Sequence, residues 1–190
     1  MVNRVLNNYI KKYRFNRIIK CIENNITTFD INSLKTSNGN TQEKERISIT
    51  LVSKCLDKLN YSYVEAGSQQ SKDFRNICDC GLNIEVKKTD QFNVFFNDTC
   101  PSTDIFYIII FTGTNYTKKQ NILPKIIFIN GYDLIKDDIY LLYGKGGYKE
   151  DIEMMKNKWN RKGKKMNACK FKHMSVNTRT TYQTDIKYLL

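Results

Sequence analysis

With 190 residues and a formal net charge of +12, the chain is long enough for one domain with its own core and short for a second independent one. The excess of Lys and Arg favours a polyanionic partner, because basic side chains that neutralise phosphates gain affinity by releasing counterions, although a composition rich in Lys, Asn, Ile and Tyr raises the charge by itself. The longest unbroken apolar run, residues 105–111, is far too short to cross a membrane, and six cysteines with no secretory signal ahead of them point to reduced thiols in a soluble, cytoplasmic protein.

Residues 1–24 are predicted as a basic amphipathic helix. Val5, Leu6, Tyr9, Ile10, Tyr13, Ile18, Ile19 and Ile22 recur at helical spacing, with Lys11, Lys12, Arg14, Arg17 and Lys20 elsewhere. Three uses fit the pattern: a packed helix with a solvated basic face, a dimerisation element, or a helix lying near DNA phosphates. After a loop at Ser37, Asn38, Gly39 and Asn40, Thr41 is placed to cap a helix over residues 41–59, whose buried stripe is Ile49, Val52, Leu56 and Leu59. Glu45 stands one turn before Ile49 on that side. Either it has a partner or a metal nearby, or it is a helix-start acid favoured by the helix dipole. Glu43 falls on the flank. Residues 61–66 read as the first core strand, and Ser68, Gln69 and Gln70 as a polar turn, whose side chains either hydrogen-bond phosphate or base edges or serve the turn alone.

The most informative stretch is 67–90. Its second half alternates as a strand does, with Leu82, Ile84 and Val86 on one face and Asn83, Glu85 and Lys87 on the other. Lys88 then points to the opposite face from Lys87. Asp73 lies upstream of an Asp79-Cys80-Gly81 turn, so a short hairpin brings it beside Glu85. Two carboxylates and an ammonium then share one small site. Hard oxygen ligands of this kind suit Mg²⁺, which takes one or two carboxylates and completes its shell with water and phosphate oxygens. A neighbouring Lys is able to orient or help deprotonate an attacking water while the metal stabilises charge on phosphorus, a combination suited to phosphodiester hydrolysis. Cys78 and Cys80 form the only close cysteine pair, and their one-residue spacing argues against a structural zinc site.

Asn97, Asp98, Pro101 and Ser102 suggest a loop closed by Asp104. Residues 105–111 are β-branched and aromatic throughout, the mark of a central strand buried on both faces, and residues 125–129 repeat that character before a turn at Asn130 and Gly131. Together these predict an α/β fold: a mixed β-sheet of about five strands, flanked by the helix at 41–59 and a second at about 151–159. The tail is basic. Lys156, Lys158, Arg161, Lys162, Lys164, Lys165, Lys170 and Lys172 occur with no acid among them, and His173, Asn177, Thr178, Arg179 and Gln183 follow. Basic groups position a protein on phosphates and Asn, Gln, Arg and His read base edges, so the tail is either a DNA-contact region or a solvated basic stretch. His173 is the only histidine, which leaves a Ser-His or Cys-His triad without support.

Asp73 followed by Glu85-Val86-Lys87 resembles the signature of the PD-(D/E)xK nucleases, with Lys72 where the signature usually has Pro. The Gly67-Ser68-Gln69-Gln70 run before Asp73 and the apolar strand downstream add to the likeness, and residues 93–106 look like the segment after the catalytic Lys of many restriction enzymes. The resemblance implies a restriction-endonuclease-like core in a single domain over 1–190: an N-terminal basic helix and loop (1–40), a catalytic core (41–130), and a C-terminal helix with the DNA-contact region (131–190). It implies Asp73, Glu85 and Lys87 as catalytic residues, Mg²⁺ held by Asp73 and Glu85, and Glu45 as an additional ligand where several of these families carry a helix Glu. Gln69, Gln70, Lys162, Lys164, Lys165, Lys170, Lys172 and Arg179 are the candidate DNA contacts. The expected function is that of a type II restriction endonuclease acting as a homodimer on double-stranded DNA at a short palindromic site, with a methyltransferase as functional partner. A Holliday-junction resolvase of the same superfamily is the nearest alternative, and a non-catalytic DNA-binding protein is the alternative from another class.

Overall fold

A computed structural model describes residues 2–36, 41–66, 72–97, 101–113, 122–135, 174–176 and 180–190. The chain divides into two compact units: one comprises residues 1–91, 104–130 and 190, the other residues 92–103 and 131–189.

The first unit opens with α1 (Val2–Asn25), a stretch free of Gly and Pro. Only its second half is buried, through Phe15, Ile18 and Ile22, whereas Val5, Leu6, Tyr9 and Tyr13 stand exposed. The apolar stripe expected along the whole helix is therefore a core face only from Phe15 onward. Asn25 closes the helix by donating from Nδ2 to the Cys21 carbonyl at 2.6 Å, which satisfies one of the acceptors a helix end leaves open. Thr27 and Asp30 then form a reciprocal capping box that starts α2 (Thr28–Ser33).

α3 (Thr41–Lys58) agrees closely with the predicted helix, and its buried residues are Ser48, Val52, Cys55 and Leu56. Ile49 and Leu59, the two ends of the expected stripe, are only partly buried. Asn60, at φ 53°, ends the helix in the left-handed conformation, and the Tyr61 N–H donates to the Leu56 carbonyl at 3.0 Å. That reversal sends Tyr61 into the core beneath two cations, with the Arg14 and Arg17 guanidinium carbons 5.2 and 5.7 Å from its ring centroid. The strand predicted over 61–66 shrinks accordingly to β1 (Val64–Glu65), exposed on both residues.

β2 (Phe74–Ile77) and β3 (Leu82–Thr89) form the expected hairpin. Asn76, Cys78, Asp79 and Gly81 all have positive φ, and the Asn76 side chain ties the turn by donating to Asp79 and accepting from the Gly81 N–H, each at 3.0 Å. β5 (Phe106–Phe111) runs parallel to β3, and β6 (Lys125–Asn130) pairs antiparallel with β5. The result is the expected mixed sheet of five strands, in the order β1-β2-β3-β5-β6, with β5 buried from Tyr107 to Phe111. α1, α2 and α3 pack with Phe74, Leu82, Ile84, Val86, Ile108 and Ile110 in one apolar cluster.

The second unit holds a three-stranded antiparallel sheet that sequence reading did not anticipate. β4 (Asn93–Asn97) and β7 (Met174–Val176) flank β8 (Thr180–Asp185). Asn130 and Gly131, expected as a turn, instead lead into a short helix, α4 (Gly131–Ile135), which buries Leu134 and Ile135. The Ile186 N–H donates to the Phe92 carbonyl at 2.7 Å beyond the last β4–β8 pair. The helix expected at 151–159 lies outside the described residues. Among the described residues, no helix is long and apolar enough to cross a membrane.

Candidate active site

Phe74 and Ile84 are cross-strand partners whose side chains are fully buried in the apolar cluster. By pleat alternation, the residues flanking this pair project to the other face, which puts Asp73, on the approach to β2, level with Glu85. The hairpin thus performs the convergence expected of it. Asp73 Oδ2 accepts a hydrogen bond from the Val86 N–H at 2.7 Å. Glu85 is nearly buried, and its Oε1 lies 2.6 Å from the Lys87 ammonium. Its Oε2 accepts a hydrogen bond from the Lys72 backbone N–H.

Burial, followed by the charge of Glu85, pushes the Asp73 carboxyl up to about 6, against the opposing pull of the Val86 N–H and the Lys87 cation. Glu45 adds a smaller upward push. The side chain of Glu45 is itself exposed on α3, so it reaches Asp73 through its field. Among the described residues, no three His, Cys, Asp or Glu side chains gather closely enough to hold a metal together. The donor set is therefore two carboxylates. That set fits Mg²⁺, which needs few protein ligands and only hard oxygens, and a cation there would relieve the repulsion between Asp73 and Glu85.

Lys72 stands where the signature that this stretch resembles usually has proline. Its φ of 85° is a conformation that a proline ring, locked near −65°, cannot adopt, and its N–H is the donor to Glu85. Lysine at this position thus supplies a hydrogen bond that proline could not. The Lys72 ammonium also approaches Asp104 Oδ2 at 3.4 Å. Nothing in the sequence alone signals a left-handed lysine.

No protein-family model, curated protein or solved structure matches the chain. The site is therefore read from its own geometry.

Lys88 points away from Lys87, as the strand alternation requires. Its side chain is only 3% exposed, and its ammonium contacts Thr36 Oγ1 and, at 2.8 Å, Asp90 Oδ2. Burial alone would raise the Asp90 carboxyl, but hydrogen bonds from Lys88, Thr112 and Thr36 outweigh it and hold the group below its ordinary value. This cluster ties the segment after α2 to the ends of β3 and β5, a structural role distinct from that of Lys87. Cys78 and Cys80 sit half-buried at the hairpin turn, where Cys80 Sγ donates to the Ile77 carbonyl at 3.0 Å and burial raises the Cys78 thiol. Gln69, Gln70, Lys162, Lys164, Lys165, Lys170, Lys172, His173 and Arg179 lie outside the described residues.

Proposed function

We propose that the protein is a Mg²⁺-dependent nuclease with a restriction-endonuclease-like core, acting as a type II restriction endonuclease on double-stranded DNA. One observation carries this reading: Asp73 and Glu85 meet across a hairpin while Lys87 stands 2.6 Å from Glu85. Paired carboxylates beside a single ammonium are the minimum for hydrolysing a phosphodiester with a hard cation. Asp73 and Glu85 would hold the ion, which when bound supplies Lewis-acid stabilisation of charge on the phosphoryl oxygens. Lys87, an ammonium in its ion pair with Glu85, acts as a donor that orients a water in line with the phosphorus. The new bond joins water oxygen to phosphorus as that water gives up a proton to solvent, and the broken bond frees the 3′-oxygen, which takes a proton from solvent, giving a 5′-phosphate and a 3′-hydroxyl. Lys72 holds Glu85 from the far side through its N–H. A homodimer would bring one such site to each strand of a palindromic target, and a partner methyltransferase would protect the host's own sites.

The Lys87–Glu85 ion pair also suits a purely structural salt-bridge cluster in a non-catalytic DNA-binding protein. Incubation with a large plasmid and Mg²⁺, and separately with a four-way junction, distinguishes the readings. Discrete fragments that vanish with a chelator are expected. Symmetric junction nicks would instead indicate a Holliday-junction resolvase, and intact DNA in both assays would overturn the nuclease reading.

The basic tail has its own test. Changing Lys162, Lys164 and Lys165 to Ala should weaken binding to all duplex sequences alike and flatten the salt dependence by about one unit of log–log slope per lost contact. An unchanged slope would mean that these lysines are solvated surface.

A further inference from the structure

Arg75 lies on β2 two residues beyond Asp73, and the same alternation that turns Phe74 into the core turns Arg75 to the face carrying Asp73, Glu85 and Lys87. Its Nε is shut off from solvent and has no hydrogen-bond partner. A guanidinium is permanently charged and carries five N–H donors, so a donor held out of water without an acceptor lowers stability unless something else compensates. Its strand neighbours supply no counter-charge: β1 places Val64 across from it, and on β3 the Asn83 side-chain oxygen is taken by the Asn76 N–H at 3.2 Å. The described residues give Arg75 no ion pair with either carboxylate of the site.

Two residues along a strand span about 7 Å, comparable to one phosphate-to-phosphate step along a nucleic-acid strand. Arg75 thus carries an unsatisfied Nε donor two strand residues from Asp73, in a chain of net charge +12. Arginine binds phosphate oxygens through paired N–H groups, a match that lysine's point charge does not reproduce. We infer that Arg75 is a substrate-binding residue that takes the phosphate next to the one held at Asp73 and Glu85. The identity of that second phosphate rests on the nuclease reading; the phosphate contact itself does not.

The experiment is equilibrium binding of the full chain to a fluorescein-labelled 20-base-pair duplex in EDTA over a salt series, with thermal melting alongside. Arg75→Met keeps the aliphatic stem and removes the guanidinium with its unpaired Nε donor. It should weaken binding about tenfold at low salt, reduce the log–log slope by about 0.9, and leave the melting temperature equal to or above that of the parent. Arg75→Lys should keep the parent slope with an affinity several-fold lower. Parent-like affinity and slope for Arg75→Met overturn the inference, as does a parent that fails to bind the duplex. A melting temperature several degrees below the parent assigns Arg75 to the scaffold and overturns it as well. A parent that binds, with the Arg75→Met slope reduced, but that cuts no plasmid in Mg²⁺ leaves Arg75 a phosphate ligand and removes the nuclease reading alone.

Discussion

Lys87→Ala is expected to slow single-turnover DNA cleavage by about 10²- to 10⁴-fold, or roughly 3 to 5 kcal/mol in the barrier, while leaving duplex binding nearly intact. The reason lies in what the substitution removes and what it spares. The ammonium that contacts Glu85 at 2.6 Å is lost, and with it the donor that orients the water. Asp73 stays anchored to the Val86 N–H and Glu85 to the Lys72 N–H, so both carboxylates keep their places. The loss should therefore fall on the chemical step and persist at saturating Mg²⁺. Cleavage at the parent rate would show that the Glu85-Val86-Lys87 pattern is fortuitous.

Asp73→Asn should abolish cleavage and, at neutral pH, stabilise the fold. The folded-state carboxyl is raised from the ordinary value of 3.8 to about 6, chiefly by burial and then by Glu85. A raised carboxyl means that the folded chain holds this proton more tightly than the unfolded chain. Below about pH 3 the group is protonated in both states and imposes no penalty. As pH climbs toward about 6 the unfolded chain ionises first, and the folded state loses up to about 3 kcal/mol, a deficit that stays constant at higher pH. Asparagine carries no charge and keeps an oxygen for the Val86 N–H. Stability of parent and variant should accordingly coincide near pH 3 and diverge from about pH 4 through pH 6, with the variant melting several degrees higher above it. Mg²⁺ should raise the melting temperature of the parent and not that of the variant, because only the parent retains both carboxylates. Equal pH dependence for the two proteins would show that Asp73 is not strained.

The hairpin that creates the site was legible because two independent signals agree there: strict alternation from Leu82 to Lys87, and turn-forming residues between Asn76 and Gly81. β5 was legible as a buried strand from its unbroken apolar run. Lys72 and Arg75 were not, since a positive φ at lysine and an orphaned guanidinium nitrogen are products of three-dimensional packing with no local pattern. Residues 61–66 looked like a strand by composition, but the left-handed Asn60 diverts Tyr61 into the core and leaves only Val64 and Glu65 to pair. β8 escaped notice because Thr and Gln dominate it, so no hydrophobic period marks a strand whose partner β4 lies far back in the chain, and β7, Met-Ser-Val, is too short to show a period. Glu45 sits on the helix predicted for it, exposed and adding to the field at Asp73, and spacing along a helix gives neither that exposure nor that reach.

The interleaving of the two units bears on how the protein is made. Every strand of the five-stranded sheet has been synthesised once Asn130 is added, whereas β4, made earlier, has no strand partner among the described residues until Thr180–Asp185 follows. At a synthesis rate of roughly 5–20 residues per second, the intervening stretch keeps the ribosome occupied for about 3 to 11 seconds. During that interval β4, with Phe95 and Phe96 on it, is an unpaired edge of the kind that recruits strands from other molecules. The nascent chain thus passes through a window in which the hairpin that brings Asp73 to Glu85 and Lys87 is complete and the β4 edge is still open.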